Sequence, residues 1–88
     1  MEKQEEQIIV NNPHGLHARP ASIFVQIANK FDSAVRLEKD KEVIDAKSII
    51  AILSLGVNKG MPVKLIVEGP DAEKAFEELK SFLESTND

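Results

Sequence analysis

The feature that most constrains this chain is the change of hydrophobic period along it, from two to about 3.6 and back. Ile8-Ile9-Val10 is a short β-branched run stopped by Asn11-Asn12-Pro13, a strand followed by a turn. Ala21, Phe24, Val25, Ala28 and Phe31 then fall at helical spacing. Pro20 fits the first turn of that helix, where an amide has no intrahelical partner, so the helix starts near His17. Ala34 to Leu37 and Glu42 to Ile44 read as two strands of a hairpin around a polar turn. Ser48 can cap a short helix through Ile49, Ile50 and Leu53, ended by Gly56. Met61 to Val67 is a further strand, broken by Gly69-Pro70. Ala72, Ala75, Phe76, Leu79, Phe82 and Leu83 mark a last helix with one apolar stripe, running to about Glu84.

The order is β-α-β-β-α-β-α. It predicts an α+β fold: a two-layer open-faced sandwich with helices on one face of a mostly antiparallel sheet. With 88 residues the chain is expected to form one domain, 1–88. A chain of that size buries only about 60% of its unfolded surface, which favours an economical two-layer arrangement. The absence of cysteine excludes a disulfide framework, a thiol nucleophile and a cysteine-ligated metal site. No apolar run approaches the ~18 residues of a membrane helix, and Met1 to Gln7 is too polar for a signal peptide, so a cytoplasmic location is the expectation. A net charge of −4 argues against nucleic-acid binding as the main role.

That total hides a segregation. Gln7 to Phe31 and Ala46 to Val67 contain no acidic residue and carry Arg19, Lys30, Lys47, Lys59 and Lys64. If the two segments meet in space they form a basic, partly apolar face on an acidic body. Burial of the two stretches would explain the missing acids equally well.

Asn12-Pro13-His14-Gly15-Leu16-His17-Ala18-Arg19-Pro20-Ala21 is where chemistry concentrates. At a helix start, free amides and the positive end of the dipole favour an anion such as a phosphoryl group. Arg19 adds a fork of donors suited to phosphate oxygens. Histidine is a nucleophile with an unprotonated ring nitrogen available near neutral pH. Taken alone, a His-x-Arg triplet is more simply a helix-start residue and a solvated charge. His14 precedes the helix and reads as exposed and incidental.

Gly15 to Ala21, Gly-Leu-His-Ala-Arg-Pro-Ala, resembles the phosphorylation motif of the HPr family, the histidine phosphocarriers of the phosphoenolpyruvate-dependent phosphotransferase system. A second block, Ala46-Lys47-Ser48-Ile49-Ile50, Leu53-Ser54-Leu55-Gly56-Val57 and Lys59-Gly60, resembles that family's regulatory-serine region. The resemblance implies that His17 takes a phosphoryl group on Nδ1 from Enzyme I and passes it to a sugar-specific IIA protein or domain, with Arg19 steadying the phosphohistidine. It implies a relay protein rather than a turnover enzyme, with no cofactor and no metal, acting as a monomer. Ser48 matches the serine modified by an ATP-dependent HPr kinase/phosphorylase, and Ala18, Ile49, Ile50 and Leu53 match the partner-docking patch. The family fold has three helices on a four-stranded antiparallel sheet. Serine before an apolar helix is also a plain N-cap, and both roles can hold together.

The sequence departs from the family in small ways. The hairpin turn, Glu38 to Glu42, lacks glycine, so a longer or less regular turn is expected. Met1 to Glu6 reads as loose and Ser85 to Asp88 as frayed. Glu68 to Glu73 resembles nitrogen-branch relatives, leaving a mainly regulatory nitrogen-branch carrier as the alternative to the sugar branch. His17 distinguishes the chain from catabolite-repression relatives that lack this histidine. An acylphosphatase-like enzyme fits poorly, because the first turn has no arginine-bearing phosphate loop. A binding module switched at Ser48, without histidine chemistry, stays open.

Overall fold

The computed structural model describes residues 2–86. Its elements are β1 (Glu2–Ile9), α1 (Ala18–Asn29), β2 (Ala34–Lys39), β3 (Glu42–Asp45), α2 (Ile49–Leu55), β4 (Pro62–Gly69) and α3 (Ala72–Glu84). The four strands form one antiparallel sheet in the order β1-β4-β2-β3. The chain thus has the β-α-β-β-α-β-α order and the α+β sandwich that its periodicity predicts.

Burial alternates along β4, with Val63, Leu65, Val67 and Gly69 inside. Leu65 faces Leu37 on β2, and Val63 faces Ile8 on β1. The helices bring Phe24 and Ala28 from α1, Ile52 and Leu55 from α2, and Phe76, Leu79 and Leu83 from α3 to the same core. Phe24 and Phe82 pack as a tilted aromatic pair, centroids 6.2 Å apart. Each large side chain buried here contributes about 1.5–3 kcal/mol.

Two expectations are corrected. Residues 2–6 are not loose: β1 begins at Glu2 and pairs with β4 from Glu2–Gly69 to Ile9–Pro62. Backbone pairing forms this strand without a buried apolar face, because Ile8 is its one buried residue. The hairpin turn is neither long nor irregular. Asp40 and Lys41 alone join β2 to β3, both with positive φ (52° and 70°), the hand that matches strand twist. Asp40 and Lys41 therefore accept a conformation that glycine adopts at lower cost. Helix α1 also stops earlier than its apolar spacing suggests, with Lys30 as C-cap and Phe31 beyond it. Of the predicted frayed tail, Ser85 and Thr86 follow α3 without regular structure, and Asn87 and Asp88 lie outside the described residues.

Far from His17, the loop after α1 is joined to the loop after β4. The Asp71 carboxylate accepts from the backbone amides of Asp32 and Ser33, both at 2.9 Å, and from the Ser33 hydroxyl. The Ser33 hydroxyl bond, and then the Asp32 amide, hold the Asp71 carboxyl below its ordinary range. A side chain at Gly69 would strike Ser33, with its Cβ only 2.6 Å from the Ser33 Cα.

Candidate functional site

Helices α1 and α2 run past each other in opposite directions. At one end Leu16 donates its amide to the Val57 carbonyl at 2.9 Å, so the start of α1 sits on the segment that follows α2. At the other end, the Asn29 side chain donates to the Lys47 carbonyl and the Lys47 ammonium to the Phe31 carbonyl, so the start of α2 sits by the end of α1. His17 and Ser48 therefore mark opposite ends of the helix pair.

The loop that carries His17 is built from β1 onward. The side chain of the buried Asn12 accepts the His14 amide at 3.1 Å, and its carbonyl accepts the Gly15 amide at 3.0 Å. Gly15 has φ +62°, and a Cβ there would lie 2.5 Å from the Val57 carbonyl oxygen. Only glycine lets the two loops meet this closely. Leu16 is then fully buried, and His17 becomes the N-cap of α1 with extended backbone.

His17 does not cap α1 with its side chain. Its Nε2 lies 2.7 Å from Asn58 Oδ1. A carboxamide oxygen only accepts, so Nε2 carries the proton. In the neutral ring this leaves the lone pair on Nδ1. The next residue, Ala18, is the first of α1 and has φ +50°. An alanine in this left-handed region stores about 1–2 kcal/mol of strain beside the histidine.

An open concavity of about 450 Å³ brings His17, Ala18 and Arg19 together, with Asn12, His14, Pro20, Ile23 and Phe82 completing its lining. Arg19 is exposed and makes no ion pair among the described residues. The first turn of α1 contains no acid. Its uncommitted amides and the Arg19 guanidinium therefore form an electropositive rim without competing carboxylates. His14 is exposed as expected, but it shares this rim rather than standing apart.

Ser48 is the N-cap of α2, and its hydroxyl accepts the Ala51 amide at 3.3 Å. At the far end of α2, Gly56 takes φ +71°, and the Lys39 ammonium donates to the carbonyls of Leu55 (3.1 Å) and Gly56 (2.9 Å). Ile52 turns inward and is fully buried, which leaves Ile49, Ile50 and Leu53 outside at 36%, 74% and 44% exposure. A seven-residue helix can bury one face only, so the remaining apolar residues form a surface patch. Leu53 lies toward the His17 end of that patch and Ser48 at the opposite end, about 7.5 Å of helix away.

The single basic face does not form. Lys64 points to the outer face of the sheet, where Glu5 sits 2.8 Å away, raising the ammonium and lowering the carboxyl. Lys30, at the far end of α1, pairs with Glu78 of α3 at 2.5 Å. The acid-free segments still contain residues whose acidic partners come from elsewhere in the chain. Arg19 and the exposed Lys59, next to Asn58, are the basic residues that stay at the His17 end.

Asn58 is absent from the sequence-based site. It lies 41 residues from His17, in a turn whose neighbours carry the recognisable pattern. Nothing local distinguishes its amide from any loop asparagine.

Comparison with known proteins gives the family and the fold. Residues 4–85 match the PTS-HPr family model, described as the PTS HPr component phosphorylation site. The HPr-like protein Crh of Halalkalibacterium halodurans is 45% identical over 80 residues, covering 91% of this chain and 95% of the relative. A phosphocarrier protein HPr from Bacillus anthracis superposes with a TM-score of 0.90 at 40% identity, over 92% of this chain and 96% of that one. Crh of Bacillus subtilis, solved as a swapped-domain dimer, gives 0.74 at 45% identity over 89% and 90%. Among the described residues, no helix is long and apolar enough to cross a membrane. With a family match over nearly its whole length and a shared fold, this chain belongs to the HPr family of phosphocarrier proteins.

Proposed function

We propose that this chain, as one domain, relays phosphoryl groups in the phosphotransferase system. His17 accepts the group from Enzyme I and gives it to IIA proteins or domains that serve sugar uptake. The observation that carries this reading is the His17 ring itself, with Nε2–H engaged by Asn58 and the Nδ1 lone pair available beside Arg19 at a helix start. In the forward step Nδ1 attacks phosphorus, the Nδ1–P bond forms, and the donor leaves with the electrons of its own bond to phosphorus. No proton has to move, because Nε2 keeps its hydrogen. The ring becomes cationic, and the phosphoryl oxygens meet Arg19 and the open amides of α1. Transfer onward is the reverse displacement by an acceptor nucleophile. The protein ends each cycle unchanged in covalent structure but acts as a carrier, without turnover chemistry of its own.

The apolar patch of Ile49, Ile50 and Leu53, with Ala18 at the histidine, suits a brief, low-area encounter with each partner. A kinase that phosphorylates Ser48 would place about −2 charge at the edge of this patch, at a helix start that tolerates it. Docking would weaken without unfolding α2. A Ser48→Asp variant with an unchanged transfer rate from Enzyme I would remove this regulatory role. The working location is the cytoplasm and the working form a monomer. The swapped dimer of the B. subtilis relative is the opposing case: sedimentation at micromolar concentration should give a mass near 9.7 kDa for the monomer, and about twice that mass would overturn it.

The central test is incubation with phosphoenolpyruvate and Enzyme I, followed by assay for acid-labile, base-stable phosphate. His17→Ala should abolish the label and His14→Ala should retain it. Label surviving in the His17 variant overturns the assignment. A second reading, a mainly regulatory protein, is favoured by the resemblance to Crh. It predicts a labelled His17 that transfers nothing to any IIA partner.

A further inference from the structure

The relay reading leaves open what keeps the right nitrogen of His17 reactive. We infer that Asn58 is a positioning residue, which fixes the His17 tautomer from outside its own loop and so selects Nδ1 as the nucleophile. The inference rests on the relay reading for its consequence and on geometry for its cause.

The 2.7 Å contact between His17 Nε2 and Asn58 Oδ1 is the one side-chain bond the ring makes among the described residues. It comes from a rigidly held turn. The Asn58 carbonyl accepts the Met61 amide at 3.1 Å, and the Asn58 amide faces the Met61 sulfur at 3.4 Å. Gly60 closes the turn with φ +88° and donates its amide to the Val10 carbonyl at 2.7 Å. On the other side, Leu16 donates to Val57, and Gly15 lies against the Asn58 backbone, where a Cβ would approach the Asn58 Cα to 2.8 Å. Both partners of the contact are therefore anchored to the same backbone junction. The bond adds orientation with little further loss of side-chain freedom.

An acceptor at Nε2 has two effects. It disfavours the tautomer with the proton on Nδ1, which could not attack phosphorus. It also faces the N–H that becomes more acidic as the ring gains charge in the transition state, so it stabilises the step and not only the resting ring. Arg19 acts on the phosphoryl oxygens, Asn58 on the ring, and neither substitutes for the other.

The test reads the tautomer directly by two-bond ¹H–¹⁵N correlation NMR on His17, above the pH of ring protonation. Asn58→Ala should lower the ratio of Nε2–H to Nδ1–H forms by about two- to tenfold, the worth of one hydrogen bond. Asn58→Asp keeps an acceptor in place and should restore the ratio. In single-turnover transfer from phosphorylated Enzyme I, Asn58→Ala should lower the maximal rate by a similar factor with KM nearly unchanged. An unchanged tautomer ratio in Asn58→Ala, or a loss that appears entirely in KM, overturns the inference. The tautomer is measured without a phosphoryl donor. Failure of the relay reading appears separately, as a His17 that takes no label in the unaltered protein.

Discussion

The start of α2 and the start of α1 put their N-cap side chains to different uses. Ser48 turns its hydroxyl back onto the Ala51 amide and closes its own helix. His17 leaves its helix uncapped and turns toward Asn58. The backbone differs in the same sense: Ser48 leads into regular geometry, whereas Ala18 carries a positive φ. Local self-satisfaction stabilises one helix start. The other is held by tertiary contacts, and its amides remain for an incoming anion. A helix start that forgoes its cap loses about 1 kcal/mol of local stability and keeps its first amides clear of its own side chain.

Substitutions can break this contrast, and their effects on stability should fall in a definite order. Gly15→Val should have the largest effect. A branched side chain at φ +62°, directed at the Val57 carbonyl, should cost about 2–4 kcal/mol and separate the two loops. The midpoint of urea unfolding checks this, and a loss under about 1 kcal/mol would show that the junction is looser than its distances suggest. Ser48→Ala should cost about 1 kcal/mol through the lost cap while His17 phosphorylation continues. Reduced hydrogen-exchange protection confined to α2 is its signature. Arg19→Ala should shift stability by less than about 0.5 kcal/mol, because the side chain is exposed and unpaired among the described residues. Its transfer rate should nonetheless fall roughly 10- to 100-fold, the worth of a charged hydrogen bond to phosphate. Equal transfer rates for Arg19→Ala and Ser48→Ala would erase the functional difference between the two helix starts.

The last prediction is a pH dependence and concerns Asp71, near the Ser48 end. Its carboxyl lies below the ordinary value of 3.8 in the folded chain, chiefly through the Ser33 hydroxyl. The carboxylate therefore contributes stability above that value and loses it as pH falls through the lower folded value. Amide NMR shifts of Asp32 and Ser33 should titrate in that acid range, while that of Leu16, bonded to a carbonyl, should not. Asp71→Asn should remove the titration.

The sequence by itself determined the order of elements, the fold class, the cap at Ser48, the stop at Gly56 and the position of His17 at a helix start. These follow from interactions among residues a few positions apart, where apolar period, cap chemistry and turn preference are legible. Tertiary structure decided the rest. Residues 2–6 are polar and show no strand pattern, yet the unpaired edge of β4 makes them one. The acid-free segments carry lysines whose acidic partners, Glu5 and Glu78, come from other elements, so linear charge separation did not become a spatial one. The His17 ring finds its side-chain partner in Asn58, 41 residues away. A hydrogen bond across that separation forms only after the core has brought the two loops together, and no local pattern encodes it.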